Sequence, residues 1–134
     1  MDNRKGKRFM SLRGLSCIFP VSDIEKTAEF YETKLGFKVV KYINCTQPHI
    51  CLYRDDAEII LLQANTASIT PNRTLYGYGY DAYLYTANQE ELEKEFEEKG
   101  VRFIKHLGIT DYQNKEFIIE DSDGRWLAFG LKIE

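Results

Sequence analysis

Most patterns that carry catalysis are missing from this sequence, and the missing ones narrow what it can do. His49 and His106 lie far apart and lack the helical His-x-x-x-His spacing that places two imidazoles on one metal. Each reads as an ordinary polar or half-buried histidine. Cys17, Cys45 and Cys51 form no C-x-x-C pair, and three thiols cannot all be disulfide-bonded within one chain. They read as reduced thiols of a cytoplasmic protein. Gly77 and Gly79 alternate with Tyr76, Tyr78 and Tyr80, but position 82 is alanine and no strand precedes them. A G-x-G-x-x-G dinucleotide site is therefore excluded. The tyrosines suit a gate over a cleft, a dimer interface, or the edge of a sheet. The acidic run Glu90, Glu91, Glu93, Glu95, Glu97 and Glu98 reads as the solvated face of a helix. No nucleophile stands beside a base. What remains is recognition chemistry, built from aromatic faces and a few carboxylates.

The elements that would position such residues occur twice. A first helix opens at Ser22 with Glu25 three residues on, which predicts a capping box. Ile24, Ala28, Tyr31 and Leu35 follow at helical spacing, and Gly36 is the expected left-handed stop. A second helix opens at Asn88 with Glu91, buries Leu92 and Phe96, and stops at Gly100. Before each helix comes a strand (15–21 and 81–86). After each comes another (37–43 and 101–105), then a hairpin (50–63 and 116–131). The caps are 66 residues apart and the glycine stops 64 apart, as duplication of one βαβββ unit requires. The expected fold class is α+β, two βαβββ modules forming a curved half-barrel sheet with helices outside and a concavity inside.

At 134 residues the chain suits a single domain. A basic tail is expected over 1–11, then one domain over 12–134, with modules over 12–63 and 81–134 and a linker over 64–80. The formal charge is −3, but residues 1–9 carry +3, which leaves −6 on the body. That sign argues against a nucleic-acid partner. Arg13 and Pro20 spoil the early apolar stretch as a signal peptide, and no segment is long enough to span a membrane. The expected location is cytoplasmic, with no membrane partner.

Val21-Ser-Asp-Ile-Glu-Lys-Thr-Ala-Glu-Phe-Tyr-Glu-Thr-Lys-Leu-Gly-Phe37 resembles the opening motif of the vicinal oxygen chelate superfamily, V-x-D-x-x-x-(S/T)-x-x-F-Y-x-x-x-L-G-F. That superfamily holds glyoxalase I, bleomycin resistance proteins, extradiol dioxygenases and fosfomycin resistance enzymes. Glu116-Phe-Ile-Ile-Glu-Asp-Ser-Asp-Gly-Arg-Trp-Leu-Ala-Phe129 resembles its closing E-F-x-x-x-D-P-D-G-N-x-x-x-F, with Ser122 for the usual proline. The resemblance spans about residues 12 to 131. It implies the fold and leaves the chemistry open, because one scaffold hosts many activities.

The resemblance also implies where metal-dependent members carry ligands, one on each of four strands. Those positions fall on Ser16, Ile60 (or a neighbour), Asp81 and Ala128, a set with one anionic side chain at most. No metal and no other cofactor is expected, as in the metal-free bleomycin-resistance branch, whose members are drug-binding dimers. If the former ligand positions face the concavity, strand alternation lines it with Ser16, Ile18, Glu58, Ile60, Leu62, Asp81, Tyr83, Tyr85, Trp126 and Ala128. Tyr83, Tyr85 and Trp126 would stack on a flat ligand, and Asp81 with Glu58 would hold a cation or amine. The expected function is binding or sequestration of an aromatic or cationic small molecule, an antibiotic among the possibilities, by a homodimer. The alternative is a metal-independent lyase or isomerase with Asp81 or Glu58 as base, and a metal-dependent glyoxalase or dioxygenase ranks below both. No catalytic residue is assigned.

Overall fold

The computed structural model describes residues 11–133. The tail expected over 1–11 therefore lies, apart from Ser11, outside the described residues. The elements run in the order β1 (Cys17–Val21), α1 (Ile24–Leu35), β2 (Lys38–Tyr42), β3 (His49–Arg54) and β4 (Ala57–Gln63). After them come α2 (Asn72–Tyr76), β5 (Ala82–Tyr85), α3 (Gln89–Glu98), β6 (Arg102–Ile109), β7 (Asn114–Glu120) and β8 (Trp126–Lys132). The α+β architecture of two βαβββ modules is present. Its strands divide into two open four-stranded sheets, ordered β1-β4-β3-β2 and β5-β8-β7-β6.

The repeat holds at the level of register. β1 runs parallel to β4 with Ile18 opposite Ile60, and Ile60 lies opposite Cys51. In the second sheet β5 runs parallel to β8 with Tyr83 opposite Ala128, and Ala128 lies opposite Ile118. Ile60 and Ala128 thus hold equivalent places, as the spacing of the sequence requires.

Alternation sorts each strand into a helix-covered face and an open one. Phe19, Val21, Ile59 and Leu61 of the first sheet are buried on the covered side, as are Leu127, Phe129, Phe117 and Ile119 of the second. With Tyr31, Leu35 and Phe96 they form one buried cluster that runs through both modules. Phe129 stacks on Phe117 (centroids 5.3 Å, 11° between planes) and meets Phe96 edge-on at 5.3 Å.

The modules are tied on their covered side. The Tyr31 hydroxyl donates to Asp121 Oδ2 at 2.6 Å, Thr27 Oγ1 donates to Asp123 at 2.6 Å, and Arg125 Nη2 donates to the Pro20 carbonyl at 2.7 Å. Arg54 reaches α3 with a two-pronged pair to Glu95, at 2.8 and 2.9 Å. It also donates to the Leu35 carbonyl at the end of α1, 2.7 Å away. Gly36 turns left-handed there (φ 75°), and a Cβ would fall 2.8 Å from Arg54 Nη1.

The start of α1 corrects the capping expectation. Asp23 rather than Ser22 is the N-cap, its backbone extended and its Oδ1 accepting from Lys26 N–H at 3.1 Å. Ser22 instead donates to Asp123 at 3.3 Å, and Glu25 pairs with Lys41 at 2.6 Å. A carboxylate cap also suits the positive end of the helix dipole. Asp23→Ala is expected to cost about 1 kcal/mol in urea unfolding, more than Ser22→Ala. Equal losses would restore Ser22 as the cap. Asn88 does stand at the N-cap of α3, but its side chain makes no capping bond there. Residues 64–80, read as a linker, contain the one-turn helix α2, which begins after Pro71 and stops at Gly77 (φ 93°).

Candidate functional site

Of the residues singled out from sequence, Ile18, Glu58, Ile60, Leu62, Tyr83, Tyr85, Trp126 and Ala128 lie on the strand faces turned away from the helices, whereas Ser16 and Asp81 precede their strands. In the first sheet the open face crosses the strands in rows: Tyr42, His49, Leu62 and Pro20 in one, and Val40, Cys51, Ile60 and Ile18 in the next. Ile18 is 56% exposed and Leu62 37%. Ser16 donates to Glu58 Oε1. That bond, followed by one from Tyr53, holds the Glu58 carboxyl below its ordinary range. It is an ionised acceptor and a weak base.

In the second sheet the corresponding rows are Tyr83, Ala128, Ile118 and Lys105, then Tyr85, Gly130, Glu116 and Gly108. The rings of Tyr83 and Tyr85 lie 5.4 Å apart at 46°. Tyr85 is 79% exposed, while Ala128 is fully covered.

Asp81 is placed differently from a free anionic group. Its Oδ1 accepts from Asn72 N–H and its Oδ2 from Trp126 N–H, each at 3.0 Å. It clamps α2 to the start of β8, each oxygen already accepting a backbone N–H. Trp126 is half-buried. The Arg73 guanidinium of α2 covers its ring at 4.2 Å, and its Nε1 donates to Glu120 at 3.1 Å. One face of the indole is therefore already occupied by the chain itself.

The structure brings together Ser16 with Glu58, Ile18 with Ile60 and Leu62 nearby, and Tyr83 with Tyr85 and Ala128. Among the described residues no hydrogen bond joins the first of these sets to the last. At the positions that the resemblance assigns to ligands stand Ser16, Ile60, Asp81, which accepts two backbone N–H groups, and the buried Ala128. No cluster of three or more His, Cys, Asp or Glu side chains converges elsewhere among the described residues. His106 Nδ1 lies 3.1 Å from Glu93, and His49 stacks on Tyr42 at 5.0 Å. A depression of about 450 Å³ lies away from both open faces, between α1 and β2, lined by Glu25, Glu29, Glu32 and Lys41 among others.

The most unusual side chain of the second open face was named in the sequence only as part of a motif. Glu116 is fully buried. Tyr83 Oη donates to its Oε1 at 2.8 Å, and Tyr80 Oη and Tyr112 Oη each donate to its Oε2 at 3.2 Å. Two signals could have found it: its even spacing from Ile118 and Glu120 on β7, and the bare Gly130 opposite. A Cβ at Gly130 would lie 2.5 Å from both the Glu116 Cβ and the Lys115 carbonyl. Tyr80 and Tyr112 sit in loops, where alternation has no say.

The profile of the Glyoxalase/Bleomycin resistance protein/Dioxygenase superfamily matches residues 15–129. No curated protein matches the chain. Among solved structures, a member of that superfamily from Sphaerobacter thermophilus DSM 20745 superposes with a TM-score of 0.70 at 22% identity, covering 91% of this chain and 98% of that one. TnmS3, described as an antibiotic binding protein from Streptomyces sp. CB03234, superposes at 0.66 with 18% identity, covering 93% of this chain and 100% of that one. These likenesses establish the fold.

Proposed function

The chain belongs to the Glyoxalase/Bleomycin resistance protein/Dioxygenase superfamily, and from that premise we propose that it binds a small organic molecule without a metal. The ligand is aromatic or cationic, an antibiotic being one such class, and it lies against the open sheet faces. The observation that carries this reading is apolar and aromatic surface left facing outward on the sheets: Ile18, Leu62 and Tyr85 are exposed. Sheet faces of this kind mark recognition surfaces more often than idle ones. The antibiotic-binding description of TnmS3 supports the ligand class by analogy of fold.

A single open sheet is a shallow wall, and a ligand needs a second. We infer that a homodimer supplies it, two copies pairing about a two-fold axis so that one open face opposes another. The cytoplasm is the compartment consistent with three unpaired thiols, and no helix among the described residues is long and apolar enough to cross a membrane.

Native mass spectrometry of the purified protein tests these points together. The expected spectrum is a dimer that carries an organic adduct, or accepts one on titration with cationic aromatic compounds. Its mass should not change on treatment with EDTA. One zinc, nickel or iron per chain would overturn the metal-free reading, and a monomer at micromolar concentration would overturn the assembly.

A further inference from the structure

Glu116 presents a problem of charge that the fold does not solve. The side chain is fully buried, yet no Lys, Arg or His forms an ion pair with it among the described residues. The nearby Lys115 pairs with Glu90 instead, and Lys132 turns its Nζ to the Tyr112 carbonyl. An ionised carboxylate taken out of water is tolerated only when its oxygens are hydrogen-bonded. Here phenols do this. Asn114 Nδ2 donates to Tyr83 Oη at 3.0 Å, so the Tyr83 proton is directed to Glu116. Burial and then the Glu116 hydrogen bond push the Tyr83 hydroxyl well above its ordinary range, and it stays a donor. The carboxyl is thus hydrogen-bonded by phenols, with no ion pair to it among the described residues.

The aromatic cluster over this carboxyl also reaches the surface. Tyr112, which donates to it, is 48% exposed, and Tyr85, beside Tyr83, is 79% exposed. Tyr85 lies opposite Gly130, which lies opposite Glu116, so no side chain intervenes along that row. A phenol that donates to a carboxylate becomes more electron-rich, which strengthens the pull of its ring face on a cation. The carboxylate oxygens lie buried beneath the phenols, out of direct reach of a metal ion or a primary ammonium at the surface. An alkylated ammonium needs no direct acceptor.

We propose that this corner of the second sheet binds an organic ammonium group bearing apolar substituents, held on the faces of Tyr83 and Tyr85 over the buried charge of Glu116. The site rests on the reading that the open faces bind ligand, and it specifies which carboxylate sets the charge preference.

The test uses two probes of one shape, meta-(trimethylammonio)phenol and its neutral counterpart meta-tert-butylphenol, titrated calorimetrically into the intact protein. The cation is expected to bind about tenfold more tightly than the neutral probe. Glu116→Gln should abolish that preference, the two probes then binding with equal affinity. Tyr85→Leu, at an exposed position, should weaken the cation about fivefold. Equal affinities in the unmodified protein, or a preference that survives Glu116→Gln, would overturn the proposal. If Glu116→Gln does not fold, Tyr85→Leu decides, and unchanged cation affinity there overturns it as well. A neutral probe that binds with no preference for the cation would sink this site alone and leave the binding function standing. Failure of both probes to bind, together with the absence of any adduct in the native spectrum, would sink both.

Discussion

Phe129→Ala is expected to lower the free energy of unfolding by about 3–5 kcal/mol, a loss that threatens folding altogether. Phe129 is 4% exposed and sits between Phe117, on which it stacks, and Phe96, which it meets edge-on. Truncation leaves a cavity bounded by rigid rings on a sheet and a helix, which close over it only in part. Trp126→Ala, three residues earlier on the same strand, removes a larger side chain at a smaller expected cost of about 1–2 kcal/mol. The indole lies on the open face, and what it loses is the Arg73 guanidinium above it and one hydrogen bond to Glu120. Urea unfolding of the two variants measures the difference. Equal losses would move Trp126 into the core and reverse the assignment of faces on β8.

Asp121→Ala is expected to be as damaging, about 3–5 kcal/mol, because it removes a buried group that helps tie the modules together. The carboxyl accepts from the Tyr31 hydroxyl at 2.6 Å and from the backbone N–H groups of Asp123 and Arg125, each at 2.9 Å. Alanine would leave a fully buried phenol without its acceptor. Tyr31→Phe, which leaves Asp121 its two backbone donors, should cost less.

Asp121 also predicts a pH dependence. Burial raises its pKa above the ordinary aspartate value, against the lowering effect of the hydrogen bonds from Tyr31 and the backbone. The folded protein therefore holds this proton more firmly than the unfolded chain does. The stability from that linkage is complete below the ordinary value of about 3.9 and is lost as pH rises through the raised folded value. Asp121→Asn cannot titrate. The unmodified protein should accordingly gain stability relative to Asp121→Asn as pH falls from neutral toward that range. A stability difference that moves the other way on acidification would show that the hydrogen bonds, and not burial, dominate.

The repeat was legible because it is local. Helical spacing over residues 24–35 and 89–98, the glycines that follow, and strand alternation each involve neighbours in sequence. The constant offset between the two copies did the rest. Alternation also placed Ile18, Ile60, Tyr83, Tyr85 and Ala128 correctly on the open faces, since a strand admits only two parities. Choice of partner was not legible. Ser22 and Asp23 are equally good caps by residue type, and only the position of Asp123, a hundred residues on, drew the Ser22 hydroxyl away. Asp81 looked like a free anion because nothing in its strand shows that α2 will place an N–H against it.

By itself, then, the amino-acid order determined the duplicated βαβββ unit and the parity of the residues along each strand. Tertiary structure alone decided which polar groups satisfy one another. It buried Glu116 beneath Tyr80, Tyr83 and Tyr112, seated Arg73 on Trp126, and joined Tyr31 to Asp121. Periodicity reports one element's preference between core and water, whereas a hydrogen bond or a buried charge depends on the distance between two elements, which is set only when both have packed.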